Sequence, residues 1–337
     1  MKILILGGTM FVGRHLVEAA LARGHQVTLF NRGKSGSGLF PQAEHLRGDR
    51  DGDLSALQGR EWDAVIDVSA YFPRIAEATA ELLRGAVGHY TFISTVAVYG
   101  GFLDRDLDED APLAPLPEGI GEERNLRAYG PLKVACERVI EEHFPGRTLV
   151  LRPGILVGPH DYTDRLPAWP RRIAQGGEVL APGRPDRRVQ FIDARDLASF
   201  AIRMIERQQA GIYNVSGPAE DLTMADFLQL CTAVTGGDAT FTWVDEAFLQ
   251  EQMFEKMGLS PINSLLLVPE DTNYYNTISS QKALDQGLTL RPLAETLRDT
   301  YAWDREVSER MMTSGLTPEQ ERHLFDLYAQ QKKHPTA

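Results

Sequence analysis

The sequence predicts an α/β protein, a doubly wound parallel sheet with a smaller C-terminal lobe. Three observations support this. The chain opens on a short apolar run, Ile3 to Leu6, that ends in two glycines and passes into residues with helical spacing: Phe11, Val12, Leu16, Val17, Ala20 and Leu21. Further apolar runs at 26–31, 44–48, 63–68 and 89–95 alternate with helical patterns, as a parallel sheet requires. With 337 residues, the chain is long for one core and suggests one large or two fused units.

Composition bounds the function. Apolar residues at 43% and charged residues at 24% describe an ordinary globular chain. A net charge of −12, from 35 basic and 47 acidic residues, opposes nonspecific attraction to nucleic acid or an anionic membrane, and neither is expected as a partner. Cys136 and Cys231 stand in no metal or redox spacing and are expected as free buried thiols of a reducing compartment. The first apolar run is consumed by a strand, and no later run approaches the roughly 18 residues of a membrane span. A cytoplasmic location is therefore expected.

Taken in order, the first strand, glycine turn and helix aim backbone N–H groups and the positive end of the helix dipole at one point, which is a place for phosphate. In a G-x-x-G-x-x-G turn the first glycine makes the bend, the middle one admits a pyrophosphate and the last lets helix pack on strand. Gly7 and Gly13 fill the outer places, and Met10 stands in the middle one, where a Cβ pushes a cofactor outward or is met by a rearranged loop. Gly7, Thr9, Met10, Phe11, Val12 and Gly13 are candidate cofactor-binding residues.

The second strand ends at Asn31 and Arg32, where an acidic residue would hydrogen-bond the ribose 2′-hydroxyl. With no carboxylate there, the Arg32 fork can pair with a 2′-phosphate, so NADP is favoured over NAD. After the third strand, Asp49 lies where an adenine amino group is capped, with Arg50 beside it. At the end of the fourth, the small residues Ser69 and Ala70 let a cofactor pass, and Tyr71 and Phe72 are placed to line a cleft. The fifth ends in Ser94-Thr95-Val96-Ala97-Val98-Tyr99-Gly100.

The acidic, proline-rich segment 104–117 reads as a loop leading to Tyr129-Gly130-Pro131-Leu132-Lys133. Tyrosine and lysine four apart share a helix face, and Pro131 places the pair in the first turn. An ammonium beside a phenol favours the phenolate and prepares Tyr129 as a general acid and base near neutral pH.

The glycine turn, the S-T-V-A-V-Y-G strand end and Y-G-P-L-K together resemble the extended short-chain dehydrogenases/reductases, the NAD-dependent epimerase/dehydratase family. The likeness continues through Leu151-Arg152-Pro153-Gly154-Ile155-Leu156-Val157-Gly158-Pro159, Val189-Gln190-Phe191-Ile192-Asp193-Ala194-Arg195-Asp196-Leu197-Ala198, Tyr213-Asn214-Val215-Ser216-Gly217 and an L-x-x-T-x-x-W pattern at Leu297, Thr300 and Trp303. It covers roughly residues 1 to 305 and implies a Rossmann-type fold.

By that resemblance Thr95 hydrogen-bonds the reacting oxygen, Tyr129 transfers the proton, and Lys133 holds the nicotinamide ribose and depresses the tyrosine pKa. Pro153 joins the cofactor contacts. Hydride transfer at a carbonyl or secondary alcohol of a polar small molecule is implied, with a nucleotide sugar among the candidates and a homodimer formed through the helices after the fourth and fifth strands.

Three departures qualify the likeness. Val96 and Ala97 replace the Asp-Glu pair of the sugar-nucleotide dehydratases, which argues against 4,6-dehydration. Met10 belongs to an atypical G-G-T-x-F-x-G turn, found in a branch some of whose members bind RNA or have lost catalysis. The diphosphate-gripping arginine is one place out of step, with Val189 there and Arg188 adjacent.

Residues 1–158 are expected to form the dinucleotide-binding domain, with returns at about 186–217. Residues 159–185 and 218–310 are expected to form a substrate-binding lobe, and 311–337 an exposed terminal helix or tail. In the lobe, Asp161, Tyr162, Thr163, Asp164, Arg165, Trp169, Arg171 and Arg172 form one polar cluster and Arg184, Arg187 and Arg188 another, suited to an anionic or polar substrate. Tyr71, Thr95, Arg165, Trp169 and Arg188 are the candidate substrate contacts. His160 has no partner at metal spacing, and no metal is expected. A different class of function stays open, a non-catalytic dinucleotide-sensing or RNA-binding module of the same fold.

Overall fold

The computed structural model describes residues 1–36, 38–100, 107–117, 119, 126–218, 220–257, 277–307 and 314–333. The expected acidic loop at 104–117 falls partly outside them. The chain divides into two units, Met1–Leu156 with Ile192–Gly217 and Thr277–Leu290, and Val157–Phe191 with Pro218–Asn276 and Arg291–Ala337.

The first unit contains β1 (Lys2–Leu6), α1 (Phe11–Ala22), β2 (Gln26–Asn31), β3 (Glu44–Arg47), β4 (Trp62–Asp67), α2 (Pro73–Leu83), β5 (Val87–Ile93), α3 (Leu126–His143), β6 (Thr148–Pro153), α4 (Ala194–Glu206) and β7 (Gly211–Val215). The 7-stranded parallel sheet has the order β7-β6-β5-β4-β1-β2-β3. Strand order reverses between β1 and β4, so their carboxyl ends flank a crevice.

Both faces of the sheet are covered, which is why β1 and β4 are apolar almost throughout. On one face Leu16, Val17 and Ala20 of α1 pack with Leu197, Ala198 and Ala201 of α4. On the other, Ala76, Ala80 and Leu83 of α2 share a core with Cys136, Ile140 and Phe144 of α3. Both cysteines are free and buried.

One expectation about α3 is corrected. The helix is already formed at Leu126, so Pro131 lies inside it rather than in its first turn. A proline there removes one intrahelical hydrogen bond, and the tertiary contacts of α3 outweigh that loss.

In the second unit Glu178–Pro182 pairs in parallel with Thr240–Val244, and Arg188–Val189 pairs with Leu222–Thr223. The helix Met224–Thr235 starts on a Thr223/Asp226 capping box and stops at left-handed Gly236. The terminal helix Pro318–Lys333 is docked rather than exposed throughout. Leu324 is buried with Leu180, Val244 and Phe248, and Glu321 accepts from the Leu180 N–H at 3.0 Å and Arg172 at 2.7 Å. No helix of the described residues is long and apolar enough to cross a membrane.

Candidate functional site

The glycine turn is built by contact. Gly7 and Gly8 have φ of +116° and +94°, and a Cβ on either would stand 2.7 Å from the side chain of Val68 or Leu29. A Cβ on Gly13 would come within 2.8 Å of the Gly8 nitrogen, so the helix start lies directly on the turn. Met10 needs no glycine, because its φ of −126° is ordinary extended backbone and its side chain is 49% exposed. The unusual backbone falls instead on buried Phe11, with φ +26°, edge-on to His15. The first-turn N–H groups of α1, including those of Phe11, Val12 and Gly13, have no acceptor within the helix. That is a cradle an anionic diphosphate fits.

The end of β2 braces this turn. Asn31 donates Nδ2–H to the Gly7 carbonyl at 3.4 Å and accepts from the Gly33 N–H at 2.8 Å, while Thr9 and Ser35 share a hydroxyl hydrogen bond of 2.8 Å. Asn31, expected as a ribose contact, thus holds the loop. Arg32 and Lys34 are exposed. A third cation, Arg47, was not singled out from sequence. It pairs in register with Asn31, and its guanidinium carbon lies 3.0 Å from where a Cβ on Gly33 would be.

From the segment after β3, Arg50 reaches the end of β4 and pairs with Asp67. Its terminal nitrogens donate to both oxygens of buried Asp67 at 2.7 and 2.8 Å, and to Ser69 and Thr79 hydroxyls at 3.2 and 3.3 Å. Asp67 also accepts from the Tyr90 phenol at 2.8 Å and from the Ser69 and Ala70 N–H groups, each at 3.0 Å. Burial opposes its charge, but Arg50 and these donors outweigh burial and hold the carboxyl below its ordinary range. Asp49 caps its own turn, its carboxylate accepting from the Asp51 N–H at 3.1 Å.

Thr95 follows β5, and Tyr129 and Lys133 lie one turn apart on α3. Thr95 Oγ1 accepts from the Ala97 N–H at 3.1 Å, capping the short turn Val96–Val98. Helix α3 rests on that turn so closely that a Cβ on Gly130 would lie 1.9 Å from the Ala97 carbonyl oxygen. Lys133 is buried, donating to the carbonyls of Ile93 at 2.7 Å and Ala70 at 3.1 Å, with its ammonium 4.0 Å from the Phe92 ring centroid. Burial pulls the Lys133 pKa down to about 8, against the opposing influence of Cys136 and Asp67. Tyr129, half-buried, lies with its ring 5.5 Å from that of Tyr71, itself 5.0 Å from Phe72. Pro153 ends β6, buried beside Val215.

The residues nominated in the second unit are largely engaged. Arg171 bridges Asp164 and Asp304, Arg172 pairs with Glu321, Arg187 with Glu246, and Arg188 with Asp221. Arg188 is therefore already matched by a carboxylate. Trp169 packs edge-on against Phe227 at 6.1 Å, and His160, with φ +68°, packs edge-on against Trp303 at 5.4 Å. Arg165 is half-buried. Among the described residues no cluster of His, Cys, Asp or Glu is placed to hold a metal ion.

Comparison with known proteins follows the same lines. Residues 3–216 match the NAD dependent epimerase/dehydratase family. The chain belongs to that family. Curated relatives include the chloroplast stem-loop binding protein of 41 kDa b of Arabidopsis thaliana, 29% identical over 70% of this chain and 63% of that one. The chain thus matches less than two thirds of that relative's length. Epimerase family protein SDR39U1 of Bos taurus is 26% identical over 81% of this chain and 93% of that one. UDP-glucuronic acid 4-epimerase from Bacillus cereus, solved in complex with NAD, superposes with a TM-score of 0.68 at 17% identity, over 92% of this chain and 100% of that one. At that identity the superposition bears on the fold alone.

Proposed function

We propose that the protein transfers hydride at a carbonyl or secondary alcohol of a polar substrate, a nucleotide sugar being the favoured class, with Thr95, Tyr129 and Lys133 as its proton-handling residues. The observation that carries this reading is the buried Lys133 ammonium, fixed on two backbone carbonyls one helical turn from Tyr129. A bound nicotinamide would supply the hydride acceptor or donor. Tyr129 accepts the hydroxyl proton as an alcohol becomes a carbonyl and returns it in the reverse direction. Lys133 keeps one N–H for the ribose and favours the Tyr129 phenolate through its charge. Thr95 uses its oxygen to accept from Ala97 and keeps its O–H for the reacting oxygen. Buried Val96 and half-buried Ala97 offer no acid or base for β-elimination, so 4,6-dehydration is not part of the proposal.

For the cofactor, family and solved relatives point to NAD, and the basic rim at β2 and β3 favours NADP within that class. Arg32 and Arg47, with no carboxylate at the ribose position, are suited to a 2′-phosphate. Arg32→Ala should weaken NADP far more than NAD, and equal losses would defeat the preference. A homodimer is what the family resemblance favours, and the two isolated cysteines favour a reducing, cytoplasmic setting. The decisive test follows reduced-nicotinamide absorbance over a panel of carbonyls and nucleotide sugars. Tyr129→Phe should lose roughly 10²–10⁴-fold in turnover, whereas identical behaviour of the two proteins would favour a non-catalytic module. Net redox would consume cofactor stoichiometrically, and epimerisation would not.

A further inference from the structure

Two residues one turn apart on α3 meet two consecutive residues at the end of β5. Lys133 donates to the Ile93 carbonyl at 2.7 Å, and Ser94 donates its hydroxyl to Glu137 Oε1 at 2.5 Å. The same pattern extends to β6. The Ser94 N–H donates to the Leu151 carbonyl at 2.7 Å, and Arg152 closes on Glu137 through Nε at 3.1 Å and Nη2 at 2.7 Å. Arg152 also donates to the Tyr99 phenol oxygen at 2.9 Å, and that phenol donates to Asn214 Oδ1 at 2.7 Å. Ser94, Glu137, Arg152, Tyr99 and Asn214 are all buried. A buried carboxylate persists only when paired and hydrogen-bonded in this way, and Glu137 is thereby fixed where α3, β5 and β6 meet.

We infer that Glu137 is a positioning residue. By gripping Ser94 it holds the adjacent Ile93 carbonyl against Lys133 and keeps the Tyr129–Lys133 helix in register with the Thr95 turn. This rests on the proposed function for what the site does, but the geometry is testable without turnover. A buried ammonium depends on its acceptors, so a loosened Ile93 carbonyl makes the charged form less favourable. A carboxylate acting by charge alone would not need Ser94.

The test titrates Lys133 by NMR of ¹³Cε-labelled lysine in the full-length, cofactor-free protein, with Lys133→Arg to assign the signal. Ser94→Ala keeps the Glu137 charge and its Arg152 pair while removing the grip on β5. The Lys133 midpoint should fall from about 8 by about half a pH unit or more, roughly threefold in protonation constant. Ser94→Thr, which keeps the hydroxyl, should restore it. A Ser94→Ala midpoint coincident with wild type overturns the inference, even if Glu137→Gln shifts the titration. Should Glu137→Gln fail to fold, the serine variants still decide. Turnover of Tyr129→Phe reports separately on the proposed function, so the two can fail independently.

Discussion

Around Lys133 and Thr95, the side chains Asp67, Glu137 and Arg152 are buried and each is held by several partners. At the ends of β2 and β3, Arg32, Lys34 and Arg47 stand in solvent beside a loop pinned by Asn31 and Thr9. Under the proposed function, the contrast separates two tasks. Proton transfer tolerates little misplacement, so its groups sit against a buried, hydrogen-bonded frame. Holding a phosphate at the rim requires charge and reach, which exposed arginines supply at the cost of salt screening.

Breaking the buried side should have the largest effect. Arg152→Met leaves Glu137 charged and unpaired, and should cost about 3–5 kcal/mol in urea unfolding. An Arg152→Met loss below about 1 kcal/mol would mean the frame is softer than its bonds suggest. Gly130→Ala comes next. With Ala97 in its path, α3 must move, at about 1–3 kcal/mol, and Tyr129→Phe-like loss of turnover should accompany the loss of stability.

Effects at the rim should be smaller and of another kind. Arg47→Ala should weaken NADP by roughly tenfold, about 1.4 kcal/mol, and leave NAD nearly unchanged. That difference should shrink in high salt when binding is followed by cofactor fluorescence. A salt-independent loss for both cofactors would place Arg47 in the frame instead. Thr9→Val, which deletes one hydroxyl pair with Ser35, should cost about 0.5–1.5 kcal/mol.

Lys133 also links the frame to pH. Its folded pKa of about 8 lies below the ordinary lysine value of 10.5, so folding disfavours its proton. The cost is full below pH 8 and relieved between about 8 and 10.5, where the unfolded chain binds the proton that the folded chain has released. Lys133→Met should flatten that rise of stability with pH in denaturant titrations across the window.

Much of this was legible in the sequence because it depends on periodicity and spacing. The buried strands, the glycine turn and the Tyr129–Lys133 pair follow from patterns a few residues long. Long-range partners were not. Nothing local tells that Arg50 closes on Asp67, 17 residues away, or Arg171 on Asp304, 133 residues away. Arg172, Arg187 and Arg188 read as available for an anionic substrate because their carboxylates, Glu321, Glu246 and Asp221, are distant in sequence, whereas the Asp164 partner of Arg171 is near. Arg47 could have been found, since parallel pairing sets the end of β3 beside the end of β2. Glu137 carried a weaker signal, a charge on a helical face otherwise occupied by Lys133, Cys136 and Ile140.

Phe11 has a further consequence. Its left-handed backbone at the mouth of α1 carries strain of order 1–3 kcal/mol, sustained by the burial of its ring. Burial of that ring holds the loop in the shape of an anion cradle. Entry of a diphosphate need not freeze a mobile segment, so little of its binding energy is lost to ordering the host.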